Sequence, residues 1–145
     1  MRFVLTLLLL ALLQACASIP RLTETDAATW GSRFDDAFAC KRAGVDPRID
    51  PTFTSSKDLE TLEHNRQLWV KEVQRRKLLT PEEWALTEQK KIQIGMSVCA
   101  LYASWGDPLK ENKTVLPGRV HIQHVYMHHY VYSDNGRVLS WQTSR

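Results

Sequence analysis

Cysteine, glycine and proline are all sparse: three, six and six residues in a chain of 145. So few breakers, with 43% hydrophobic and 24% charged residues, exclude a low-complexity or wholly disordered chain. A run long enough to cross a bilayer core, ~20 residues, is also missing. The nearest is residues 3–13, eleven positions interrupted only by Thr6. Charge of one sign is not in excess either. The 19 Lys+Arg and 16 Asp+Glu give +3, and setting aside Arg2, the only charge in residues 1–15, leaves +2. That balance speaks against a nucleic-acid partner, which needs a basic face. What remains is one modest hydrophobic core's worth of chain.

The N-terminus is the most informative stretch. Arg2 is a minimal positive start, and the apolar run after it suits the core of a secretory signal. Leu13-Gln14-Ala15-Cys16 follows at once. This resembles a lipobox: an aliphatic residue three before the cysteine, a small one before it, and a thiol to take diacylglycerol. Residues 1–15 are therefore expected to be a signal peptide, Cys16 the lipid attachment site and residues 16–25 a lipidated tether; ordinary secretion is the alternative, because Ala15-Cys16-Ala17 also fits a small-x-small cleavage site before Ser18. Ala17 rather than Asp follows the cysteine, which favours the outer membrane over inner-membrane retention. The expected partner is thus a membrane, through the anchor. With Cys16 committed, Cys40 and Cys99 remain as an even pair in an oxidising compartment. They are expected to form a disulfide, with a buried free thiol as the alternative.

Helical periodicity dominates up to about residue 105. Thr25 or Asp26 can cap a helix to Ala43, with Trp30, Phe34, Ala37 and Phe38 on one stripe. Pro47 and Pro51 mark a loop. Ser55 and Ser56 open a second helix carrying Leu59, Leu62, Leu68, Trp69 and Val73, with Glu63–Arg66 and Glu72–Arg76 spaced to pair along its exposed side. Arg75-Arg76-Lys77 reads as a solvated helix end. Thr80-Pro81-Glu82-Glu83 is a capping-box start for a helix through Trp84, Glu88 and Ile92, ending before Gly95. Ser97 caps a short helix with Val98, Leu101, Tyr102 and Trp105, stopped at Gly106.

The period then changes to two. Residues 109–114 read as an edge strand, and 119–127 as a strand with Val120, Ile122, His124 and Tyr126 on one side. His128-His129 reads as a turn. Residues 130–132 and 137–142 are strands joined through Asn135-Gly136, which supplies the positive φ of a tight hairpin. The expected fold class is α+β: N-terminal helices, then a short helix packed on a C-terminal antiparallel meander of three to four strands.

Gly95-Met96-Ser97, Trp105-Gly106-Asp107-Pro108, Gln123-His124-Val125-Tyr126, Tyr130-Val131-Tyr132 and Asp134-Asn135-Gly136 occur in that order. Over residues 85–145 this resembles the SmpA/OmlA (BamE-like) family of small outer-membrane lipoproteins. The resemblance implies an α+β unit over 85–145, preceded by a helical extension over 26–84, and a role in outer-membrane assembly or envelope integrity. His124 stands where the family often has Trp, and Ser133 where an aromatic often precedes the Asn-Gly turn. Cys99 and Ala100 replace polar residues after the helix cap.

Chemistry-bearing residues are scattered. His121, His124, His128 and His129 fall within nine positions, but His121 and His124 have opposite strand parity, so no metal is expected. Cys99 has no neighbouring base. Asp35-Asp36 and Glu82-Glu83 are adjacent and do not face one another on a helix. The expectation is a non-enzymatic, periplasm-facing binding or scaffolding lipoprotein with an envelope protein partner and no cofactor. An inhibitor of an envelope enzyme and a small Cys/His-dependent hydrolase are the alternatives.

Overall fold

The structure, a computed structural model, describes residues 18–29 and 33–143. Residues 1–15, expected to be a signal peptide, lie outside the described residues, as do Cys16 and Trp30. The chain forms helices α1 (Glu24–Ala28), α2 (Asp36–Ala43), α3 (Ser56–Arg75), α4 (Pro81–Glu88) and α5 (Val98–Trp105). Strands β1 (Lys110–Leu116), β2 (Arg119–Val125), β3 (His129–Asp134) and β4 (Arg137–Thr143) follow. The sheet is an antiparallel meander in the order β1-β2-β3-β4, so the fold is α+β with helices before strands.

Each principal helix starts at a side-chain cap. Asp35, Ser55, Thr80 and Ser97 accept the N–H of Phe38, Asp58, Glu83 and Ala100, and Thr80 with Glu83 closes a full capping box. The Asp35 cap also corrects the first expected helix. Instead of one helix from 26 to 43, α1 stops at Ala28 and Asp35 starts α2 anew. Phe34 and Phe38 stay together across that start, their rings stacked 4.6 Å apart and edge-on to Trp69 at 5.7 and 5.4 Å.

Two helix ends use lysine where glycine is usual. After α3, Lys77 has φ 54°, its N–H donating to Gln74 O and that of Leu78 to Val73 O. After α4, Lys90 has φ 53°, with its N–H on Thr87 O and that of Lys91 on Leu86 O. Both are Schellman ends. The second ends α4 at Glu88, so Ile92 is not on a helix as its spacing suggested. Arg75 and Arg76 are also not a free basic cluster. Both donate to Glu72, and Arg76 adds bonds to Phe34 O and Asp36. Glu72, expected on the exposed side, is only 5% exposed, and its carboxyl is held down to about 2 by the Arg75 and Arg76 guanidiniums against the opposing effect of burial.

One core spans the expected boundary at residue 84. Ala39, Cys40, Ala43, Leu68, Trp69 and Val73 from the first half pack with Leu101, Tyr102, Val131 and Val138 from the second. Cys40 and Cys99 are joined by a disulfide, Cα atoms 5.1 Å apart, which ties α2 to α5. The chain after α2 crosses directly over the end of α5: a Cβ on Gly44 would fall 2.6 Å from Gly106 Cα, and one on Gly106 would fall 1.9 Å from Val45 O.

The other end of α5 is tied to the sheet. Gly95 N–H donates to Val138 O, Val138 N–H to Met96 O, and Val98 N–H to Gly136 O. Asn135 has φ 44° and Gly136 φ 79°, as the hairpin requires. The β2–β3 turn comes earlier than expected and takes three residues, 126–128: β2 ends at Val125, Tyr126 N–H donates to His129 O, and His129 already opens β3.

Candidate functional site

The cross-strand register sorts the strand residues between two faces. Glu111 pairs with His124, and His124 with Val131, which places all three on the face covered by α5. His124 and Ser133 are fully buried there. A polar seam runs through this covered layer. Lys41 Nζ lies 3.0 Å from Glu111 Oε2 and 3.2 Å from Asp107 Oδ1. The Tyr102 hydroxyl donates to Glu111, whose Oε1 is 3.1 Å from His124 Nδ1. His124 Nε2 is 2.8 Å from Ser133 Oγ. Donation from His124 and Tyr102, with Lys41 close by, holds the Glu111 carboxyl down to about 2 despite partial burial. Burial, and then the facing Glu111 charge, push the Tyr102 hydroxyl far up, so it stays a donor.

Ser133, His124 and Glu111 are thus ordered as in a serine hydrolase relay, with a carboxylate on Nδ1 and a hydroxyl on Nε2. Access decides what the arrangement can do. Ser133 is 0% exposed, and neither of the two described cavities is lined by Ser133 or His124. The hydroxyl is buried in the layer between α5 and the sheet. Each polar group in the seam does have a partner, which is what a buried polar group requires. Sequence reasoning missed the seam because Glu111, His124 and Ser133 meet only through the register of three strands.

The remaining candidates separate. His121 is on the uncovered face, stacked on Tyr132 at 6.1 Å; His129 packs against Trp105 at 5.0 Å. Among the described residues, no group of three His, Cys, Asp or Glu could hold a metal ion. Cys99 has its sulfur in the disulfide and offers no thiolate.

The uncovered face carries a row across all four strands. Asn112 Nδ2 donates to Gln123 Oε1 at 2.8 Å, and Gln123 and Gln142 each donate to the Tyr132 hydroxyl at 3.0 Å. With His121 stacked on Tyr132 beside it, the row forms an amide and aromatic surface.

A second surface feature lies at the helical side. A cavity of about 520 Å³ opens between α3, the 44–51 loop and the start of the described chain. Its apolar lining includes Ile19, Leu22, Ile49, Leu59, Leu62 and Trp69. Pro20 and Leu22, within the expected tether, are docked here. Asn65 accepts Leu22 N–H at 2.8 Å and donates to Pro20 O at 2.9 Å, and His64 Nε2 is 3.0 Å from Leu22 O. Comparison with family models, curated proteins and solved structures gives no match for this chain.

Proposed function

We propose that this is a non-enzymatic lipoprotein, anchored in the outer membrane at Cys16, that faces the periplasm and works as a binding or scaffolding module. The observation that carries the proposal is Leu13-Gln14-Ala15-Cys16 directly after an apolar run too short to span a bilayer. The Cys40–Cys99 bond supports an oxidising compartment. The Asn112–Gln123–Tyr132–Gln142 row supports a binding role: amides and a hydroxyl suit a protein surface better than a reacting atom. The SmpA/OmlA resemblance supports a part in outer-membrane assembly or integrity, by analogy alone. Hydrolysis lacks support, since the sulfur of Cys99 is bonded and the Ser133 hydroxyl is buried.

Labelled palmitate tests the anchor. Cells making the wild-type chain should incorporate label into it, and Cys16→Ser should abolish incorporation and leave the signal uncleaved. Equal labelling of both, or of neither, contradicts the proposal.

A further inference from the structure

The described chain begins at Ser18, two residues after Cys16, and two extended residues span at most about 7 Å. The segment does not drift away from the body from there, because Asn65 and His64 fix Pro20 and Leu22 against α3. An anchor at Cys16 would therefore bring one particular face to the lipid: the face around Ile19 and the mouth of the apolar cavity.

Ile49 and Pro51 line the same cavity as Ile19. Two residues beyond Pro51, Phe53 is 89% exposed, the greatest exposure among the large hydrophobic residues described. The loop that carries it is built. Ile49 N–H donates to Asp46 O, Phe53 N–H to Asp50 O, and Thr52 N–H to Asp50 Oδ1. Among the described residues nothing covers the Phe53 ring, and such a ring is stabilised where headgroups meet acyl chains. Charge is not the attraction. Residues 18–22 and 46–54 carry Arg21 and Arg48 against Asp46 and Asp50, a net charge of zero. The far end of the molecule is the β1–β2 hairpin, since the loop at Val45 meets the Gly106 end of α5 and the hairpin tips sit at its Ser97 end.

We infer that the face formed by residues 18–22 and the 46–54 loop rests on the lipid surface, with the Phe53 ring inserted at the headgroup–acyl boundary. This rests on the lipid-anchor reading. It fixes the molecule's orientation, with the anchor side down and the hairpin tips directed away from the membrane.

The test uses the lipid-bearing full protein in phosphatidylcholine vesicles, with an environment-sensitive dye on Thr52→Cys. Cys16 is acylated and Cys40 is bonded to Cys99, so the new thiol is the only free one. Flotation with the vesicles reads the anchor, and the dye reads the face. The expected result is co-flotation, a blue-shifted and several-fold brighter dye, quenching by brominated acyl chains, and little change at high salt. Adding Phe53→Ser should return the dye to its aqueous emission, and the same dye on Val115→Cys should stay aqueous. Co-flotation with an aqueous dye at Thr52→Cys, a signal unchanged by Phe53→Ser, or equal shifts at both labelled sites overturns this inference and leaves the anchor standing. Failure to float overturns the anchor reading and this inference with it.

Discussion

Gly44 and Gly106 meet backbone to backbone, so closely that a Cβ on Gly44 would sit 2.6 Å from Gly106 Cα and 2.1 Å from Tyr102 O. The loop leaving α2 can cross the end of α5 only where both chains lack side chains. Gly44→Ala and Gly106→Ala should each destabilise by at least ~3 kcal/mol, because backbone on both sides must move. Gly118→Ala is the control, with φ +71° but open space around it, and should cost only ~1 kcal/mol. Urea unfolding of the three variants checks the ranking.

Lys77→Gly and Lys90→Gly should stabilise the protein. Both lysines hold left-handed backbone at Schellman ends, at φ 54° and 53°, where glycine carries no Cβ strain. Part of the gain is offset by the greater unfolded-chain entropy of glycine, leaving a net of about 0.5 kcal/mol each. Thermal unfolding should show a small rise in Tm for each variant and a roughly additive rise for the pair.

Stability should fall in acid. The carboxyls of Glu72 and Glu111 are held down to about 2 in the folded chain, below the ordinary 4.5, and Glu83 is also lowered. For Glu83, burial opposes ionisation, but the N–H groups of Ser97 and Thr80, with Arg137 nearby, outweigh it. Groups with depressed pKa contribute their full stabilisation above about 4.5 and lose it as pH falls towards about 2. For Glu72 this is on the order of 3 kcal/mol. Unfolding free energy measured from neutral pH to pH ~2.5 should drop across that window, and Glu72→Gln should flatten the drop.

The Cys40–Cys99 bond encloses a sequence separation of 59 residues. Closing a loop of that length restricts the unfolded chain by ~4 kcal/mol. Cys40→Ser with Cys99→Ser should lower stability by that order, and non-reducing peptide mapping of the wild type should recover the cross-linked pair.

Ser133→Ala separates structure from catalysis at the buried seam. It removes the hydroxyl 2.8 Å from His124 Nε2 and opens no path to solvent. With folded protein matched in amount, a complementation assay should find Ser133→Ala active. His124→Ala should lose stability by ~2–4 kcal/mol and lose function only in proportion to folded protein. A folded, abundant and inactive Ser133→Ala variant would revive the hydrolase reading, because loss of a nucleophile removes orders of magnitude in rate.

Much of the architecture was legible because the signals are local. Thr80-Pro81 with Glu83, Ser97 as a cap, the alternation from Val120 to Tyr126 and the Asn135-Gly136 turn each act within a few residues. The helix ends were not. Lys77 and Lys90 adopt a backbone that sequence rules assign to glycine, so α4 read as longer than it is. The break between α1 and α2 was hidden because Phe34, just before the Asp35 cap, still stacks on Phe38 of α2 as a continuous helical stripe would have it. The polar seam was illegible for a different reason. Lys41, Tyr102, Glu111, His124 and Ser133 come from five elements, and only the sheet register and the Gly44–Gly106 crossing bring them together. The docked segment around Leu22 depends likewise on Asn65, 43 residues away.

The intact mass of the protein extracted from membranes reads the proposed anchor at Cys16. The expected mature chain begins at Cys16 and carries the added mass of diacylglycerol and its acyl chains. A chain that begins at Ser18 with no lipid mass would contradict it.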